Sequence, residues 1–123
     1  MVQSAKETVS RGFSALKFDP IPGPWQTFVT RQVEDEAIAR VAAVREAVGP
    51  DVDILIEMHR RLAPMHAVRI ADAIEQYNLY WFEEPVLAEN VKALAEVRRS
   101  ISIPVVTGEE LYTKFEFREV FGR

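Results

Sequence analysis

The sequence predicts an α/β fold in which parallel strands alternate with helices. Three observations carry this. Short apolar runs alternate with segments of helical period, giving one helix followed by four βα units. Three of the apolar runs end in an acid: Ile54-Leu-Ile before Glu57, Tyr80-Trp-Phe before Glu83, and Val105-Val-Thr-Gly before Glu109. These three acids recur every 26 residues, the length of one strand, one helix and two loops. Strands alternating with helices imply parallel strands joined by right-handed crossovers. Two architectures accommodate that order. One is an open doubly wound sheet of the flavodoxin kind. The other is half of a (β/α)₈ barrel, which closes at about 250 residues.

Taken in order, residues 2 to about 11 have Val2, Ala5 and Val9 spaced for one helix face, and Gly12 suits the helix end. Ser14 to Asp19 reads as the first strand, with Ala15, Lys17 and Asp19 on one side and Ser14, Leu16 and Phe18 on the other. Pro20-Ile-Pro-Gly-Pro24 excludes regular structure and makes a loop, either a plain connection or a substrate-facing lid, with Trp25 and Phe28 set to pack on something. Glu34 to Val48 is helical: Glu34, Asp35 and Glu36 suit the positive end of the helix dipole, Ile38, Val41, Ala42 and Val48 form the stripe, and Gly49-Pro50 stops it. In the second strand, Val52 to His59, alternation places Leu55, Glu57 and His59 on one face.

Pro64 suits the first turn of the next helix, with Met65, Val68, Ala71, Ile74 and Tyr77 recurring along it and His66 as a surface residue. Tyr80 to Glu84 is the third strand, with Trp81 and Glu83 on one face. Glu89 to about Arg99 is helical, with Val91, Leu94, Ala95 and Arg98 near one stripe. The fourth strand opens at Ile103, and its odd face carries Val105, Thr107 and Glu109. A last helix begins near Thr113 and holds Phe117, Val120 and Phe121.

Composition narrows the function. At 123 residues and 48% hydrophobic content the chain can bury one core. A net charge of −4 offers no basic footprint for nucleic acid. No apolar run reaches the ~20 residues that span a bilayer, and the first residues lack the pattern of a signal peptide. With no cysteine, disulfides and thiolate metal sites are excluded. This fits a cytoplasmic protein whose metal, if it has one, is held by oxygen or by His59 and His66.

In either architecture ligands meet the carboxyl ends of the strands, where Glu57, Glu83 and Glu109 sit. Three converging carboxylates repel unless a hard divalent cation resolves them, and magnesium takes a few carboxylates and fills its octahedron with water or substrate. The competing reading is three strand-end acids with separate caps and salt bridges. Alternation turns Glu84 away from Glu83, and Glu110 away from Glu109, as supporting groups. His59 lies on the Glu57 face, able to move a proton to or from a bound substrate. Lys17 shares a face with Asp19 and either meets a substrate carboxylate or is simply solvated. Arg60 and Arg61 either bind an anionic substrate or make local salt bridges.

Gly12-Phe-Ser-Ala-Leu-Lys-Phe-Asp19, Asp53-Ile-Leu-Ile-Glu-Met-His-Arg-Arg-Leu-Ala-Pro64, Trp81-Phe-Glu-Glu-Pro-Val-Leu-Ala-Glu89 and Ile103-Pro-Val-Val-Thr-Gly-Glu-Glu110 resemble the enolase superfamily. The resemblance covers essentially the whole chain. It is strongest to the mandelate racemase/muconate lactonizing branch and, within it, to acid-sugar dehydratases such as galactonate dehydratase. It implies a (β/α)₇β barrel with strands in order 1-2-3-4, preceded by an α+β capping domain. Residues 1–123 would then be part of the barrel domain, with the capping domain before residue 1 and further strands after residue 123. It also implies Mg²⁺ held by Glu57, Glu83 and Glu109, a sugar-acid substrate and a homo-oligomeric full-length protein. The implied reaction removes the proton α to a carboxylate, the metal stabilising the enediolate. His59 matches the dehydratases' general acid, which helps the β-hydroxyl leave as water. Lys17 matches the first lysine of the racemases' Lys-x-Lys motif, which contacts the substrate carboxylate. The implied base, a histidine paired with an aspartate, lies on later strands.

Two positions depart from the pattern. Glu57 stands where these dehydratases usually carry Asp, so an extra methylene changes how the carboxylate reaches a metal. Asp19 replaces the second lysine of Lys-x-Lys, which argues against the two-base racemase pattern and favours dehydration. The alternatives are a racemase or cycloisomerase of the same superfamily, or a non-enzymatic α/β domain that binds a divalent ion or a partner. The 123-residue chain by itself is expected to be inactive.

Overall fold

A computed structural model describes residues 1–123. The elements are α1 (Val2–Ser10), β1 (Ala15–Phe18), α2 (Arg31–Val48), β2 (Asp53–Glu57), α3 (Pro64–Ile74), a 3₁₀ turn (Glu75–Tyr77), β3 (Trp81–Glu83), α4 (Val91–Ser100), β4 (Val105–Val106) and α5 (Lys114–Phe121). The four strands are all parallel and lie in the order β1-β2-β3-β4. An open doubly wound sheet reverses its strand order part-way. This sheet does not, and α1 to α4 pack on one another in sequence. The arrangement is that of consecutive barrel units.

The alternation expected of each strand decides what the two faces do. Ile54, Ile56 and Phe82 point at the helices and are fully buried, against Val41 and Val44 of α2, Ala67, Ile70 and Ile74 of α3, and Leu94 and Val97 of α4. Truncating a ring packed like Phe82 to alanine costs about 3–5 kcal/mol. The opposite face carries Lys17, Leu55, Glu57, Trp81 and Glu83. In the register, Lys17 pairs with Leu55, Leu55 with Trp81, and Glu57 with Glu83.

Capping fixes the helix starts. Thr30 accepts a hydrogen bond from the Val33 amide at 3.3 Å, and Asn90 from the Ala93 amide at 3.1 Å. Thr113 and Glu116 form a reciprocal capping box on α5. At the amino ends of the strands, Arg45 gathers four carbonyls, donating to Tyr77 at 2.9 Å, Gly49 at 2.8 Å, Val52 at 2.7 Å and Asn78 at 3.0 Å. Burial lowers the guanidinium's pKa from its ordinary value.

Three sequence expectations are corrected. The buried stripe of α3 is His66, Ala67, Ile70, Ala71 and Ile74: the expected stripe holds at Ala71 and Ile74, while Val68 and Tyr77 are only partly buried and Met65 is 53% exposed. His66 is buried, not superficial. Its Nδ1 lies 2.6 Å from Glu34 Oε1, and its Nε2 accepts the Val29 amide at 3.4 Å. Glu34, expected to act through the helix dipole, is instead buried between His66 and Arg69, whose Nη2 is 2.9 Å from its other oxygen. No helix is long and apolar enough to cross a membrane.

Candidate metal centre

At the carboxyl end of the sheet, Glu57, Glu83 and Glu109 each offer an oxygen within 4.8 Å of the others. The first two arrive by register. They face each other across β2 and β3 because the period-2 alternation of both strands turns the same way. The third arrives differently. Glu83 pairs with Val106, and Val105 pairs with Phe82 on the helix side, so the expected odd face of the fourth strand is the wrong face. The 26-residue interval puts Glu57 and Glu83 at one height but carries Glu109 three residues past the register partner. Glu109 returns to the site through a turn that begins at Thr107 and leaves the strand at Gly108, φ 132°. The positive φ at Gly108 favours glycine, and a Cβ there would press on the Phe117 ring at 3.3 Å.

Lys17 reaches up from β1 between these acids. Its Nζ is 2.8 Å from both oxygens of Glu83 and 3.4 Å from Glu57 Oε2. The bond to Glu83 raises the Lys17 pKa, with burial opposing it. Burial works to raise Glu83, but the bonds from Lys17 and from Trp81 Nε1, the latter at 2.9 Å, outweigh it and hold the carboxyl below its ordinary value. Glu57 goes the other way. Burial and the nearby charge of Glu83 raise it, although the His59 amide donates to Glu57 Oε1 at 2.8 Å. Two neighbouring carboxyls are thus pushed apart.

The strand alternation expected to place His59 ends at Met58. His59 and Arg60 take left-handed conformations, φ 51° and 61°, rare for residues with a side chain. The turn still keeps His59 on the rim, where its Nδ1 lies 2.8 Å from Asp19 Oδ2. A carboxylate there favours the proton on Nδ1 and leaves Nε2 as the free ring nitrogen. Asp19 is fully engaged: it also takes Arg61 Nη2, and its Oδ1 accepts the Ile21 amide at 2.8 Å. Arg61 lies under the Trp25 ring, 4.9 Å from its centroid, and is buried; Arg60 pairs with both Glu109 and Glu110. Both arginines therefore make local ion pairs. Glu110, expected to point away from Glu109, shares Arg60 with it, because strand alternation stops at Val106. Trp25 packs on Arg61 as expected, while Phe28 meets only the edge of His66 and is 70% exposed.

The donor set fits a hard divalent cation. It is all carboxylate oxygen, two of the acids end paired strands and the third stands on the turn after β4, and cationic nitrogens of Lys17 and Arg60 already lie against it. Sequence reasoning missed the Asp19–His59 contact, which joins residues 40 apart, and the clamp of Glu84 described below.

The family model described as "Enolase C-terminal domain-like" matches residues 1–123. The chain belongs to that family. Among curated members, D-gluconate dehydratase of Thermoproteus tenax is 44% identical over 114 residues, covering 93% of this chain and 23% of that protein. D-gluconate/D-galactonate dehydratase of Picrophilus torridus is 32% identical over 116 residues, covering 94% and 29%. A mandelate racemase/muconate lactonizing enzyme-like protein from Rubrobacter xylanophilus superposes with a TM-score of 0.92 at 46% identity, covering 98% of this chain and 32% of that one. The chain thus spans less than a third of the length of these enolase-family proteins. The expected family and the 1-2-3-4 order of parallel strands agree with these likenesses.

Proposed function

We propose that these residues are the metal-binding part of a magnesium-dependent acid-sugar dehydratase, a carbon–oxygen lyase of the cytoplasm. They would form about four βα units of a (β/α)₇β barrel domain, within a larger homo-oligomeric protein that also has a capping domain. The observation that carries the reading is the convergence of Glu57, Glu83 and Glu109 within 4.8 Å, with Lys17 and His59 on the same rim. The dehydratase names of relatives 44% and 32% identical to this chain support the reaction class.

Glu57, Glu83 and Glu109 would hold the cation, which when bound supplies Lewis-acid stabilisation for the charge that develops on a substrate carboxylate as its α-proton leaves. Lys17 brings an ammonium to the same rim and binds the substrate carboxylate. His59, held at Nδ1 by Asp19, presents Nε2 to the β-hydroxyl. To act as the acid His59 must enter the step doubly protonated: the Nε2 proton passes to that oxygen as the carbon–oxygen bond breaks, water leaves, and the ring stays protonated at Nδ1 against Asp19. The group that takes the α-proton belongs to later strands of the barrel. Asp19 does not replace it, because the His59, Arg61 and Ile21 contacts occupy both of its oxygens. That engagement weighs against a racemase that uses position 19 as a base.

The test is a chimera in which this chain replaces the matching stretch of the Thermoproteus tenax D-gluconate dehydratase. A folded chimera should dehydrate gluconate with Mg²⁺, and His59→Asn within it should remove the activity. A folded chimera that binds Mg²⁺ but dehydrates no sugar acid would sink the proposal.

A further inference from the structure

Glu84 has no part in the chemistry just described, yet it is 1% exposed and adopts φ 45°. Its backbone joins its two neighbours: the carbonyl accepts the Arg60 amide at 2.7 Å, and its amide donates to the Val106 carbonyl at 2.9 Å. Its carboxylate does something more specific. Oε1 accepts three hydrogen bonds from the turn after β4, from Thr107 Oγ1 at 3.0 Å, the Gly108 amide at 2.6 Å and the Glu109 amide at 3.2 Å. Oε2 is buried without a partner, so every side-chain hydrogen bond Glu84 makes goes to that one turn.

We infer that Glu84 is a positioning residue that sets the third carboxylate, Glu109, in the metal centre. Register places Glu57 and Glu83, but it delivers Val106, not Glu109, opposite Glu83. Arg60 pairs with the Glu109 carboxylate, but its side chain does not set the backbone of the turn, and a second contact must carry that backbone back toward the pair. The Glu84 carboxylate holds the amide of Glu109 itself and the two residues before it. Charge-assisted bonds of this kind are roughly twice as strong as neutral ones. A helix-packing role would need apolar contacts or partners on α4 or α5, and Glu84 makes no hydrogen bond to either. Partners of ligands that are themselves hydrogen-bonded in this way commonly control metal affinity by about 10–100-fold.

The inference rests on reading Glu109 as a ligand, and the test separates the two. In the 123-residue chain without metal, Glu84→Gln should speed amide hydrogen exchange at Gly108 and Glu109 and leave Leu55 and Ile56 of β2 unchanged. The same variant should weaken Mg²⁺ binding, measured by calorimetry, by at least about tenfold. If Glu84→Gln does not fold, Glu84→Asp keeps the charge but draws the oxygen back by one methylene, and the same two changes are expected. Unchanged exchange at Gly108 and Glu109 overturns the clamp. Released amides with unchanged Mg²⁺ affinity also overturn the inference. In that case Glu109→Gln decides how much falls: if it still weakens Mg²⁺ binding only the role of Glu84 is lost, and if it does not, the reading of Glu109 goes with it.

Discussion

The ammonium of Lys17 lies 2.8 Å from both carboxylate oxygens of Glu83, a forked contact between the first and third strands of the sheet. Lys17 is only partly sheltered, its side chain 43% exposed, while those of Glu57 and Glu83 are 6% and 12% exposed. The lysine thus supplies the positive charge that allows two buried carboxylates to stand side by side. A divalent cation would compete with it for the same oxygens.

Lys17→Met should therefore separate stability from metal binding. Without metal the variant should lose on the order of 1 kcal/mol, a discounted value because the ammonium is exposed to solvent. Its Mg²⁺ affinity should rise, because a competing cation is gone. Urea unfolding with and without Mg²⁺ checks both. A variant that loses Mg²⁺ affinity would show that Lys17 assists the site instead of competing for it.

Glu83→Gln should weaken Mg²⁺ binding more than Glu84→Gln. The first removes a charged oxygen from the cluster and leaves Lys17 without its closest partner; the second only loosens the turn that carries Glu109. Calorimetric titration of both variants ranks them. Equal losses would refute the assignment of different jobs to these adjacent acids.

His66→Leu should cost about 2–4 kcal/mol. It removes the partner of a buried carboxylate, and an uncompensated buried charge is expensive. Arg69 still reaches Glu34 from the other side, which keeps the loss below the upper end of that class. Pairing the change with Glu34→Leu should recover part of it, because both polar partners are then gone. Denaturant midpoints of the single and double variants test this.

Acid should loosen α5. The Thr113 hydroxyl, with the amides of Tyr112 and Thr113, holds Glu116 below its ordinary carboxylate pKa. A depressed carboxyl contributes stability above its unfolded pKa, and that contribution is lost as pH falls through the folded value. Protection factors of the amides across Lys114–Phe121, taken against the intrinsic exchange rate at each pH, should therefore fall on acidification below about pH 4. Glu116→Gln should flatten that dependence, and an unflattened profile would assign it to another group.

Much of this was legible from residue order. Alternating runs gave the parallel strands, and alternation within β1, β2 and β3 put Lys17, Glu57 and Glu83 on one face. Legibility ended where strands ended. His59, Arg60 and Glu84 adopt positive φ, and period-2 counting does not survive such a residue. Glu109 was named through an interval that held for a different reason, since its place depends on a turn and not on β4. The burial of His66 is not visible in the sequence because it depends on a partner, Glu34, 32 residues away on another helix.

The two ways of reaching the centre have a mechanical consequence. Glu57 and Glu83 stand on paired strands whose backbone bonds fix their separation, so they behave as a rigid jaw. Glu109 hangs from the Thr107–Glu110 turn, held by one Glu84 oxygen and by the Arg60 side chain rather than by a strand ladder, and is the hinged jaw. A change in the radius of the bound ion, or in the reach of a substrate oxygen, would be absorbed on that hinge while the sheet beneath stays still.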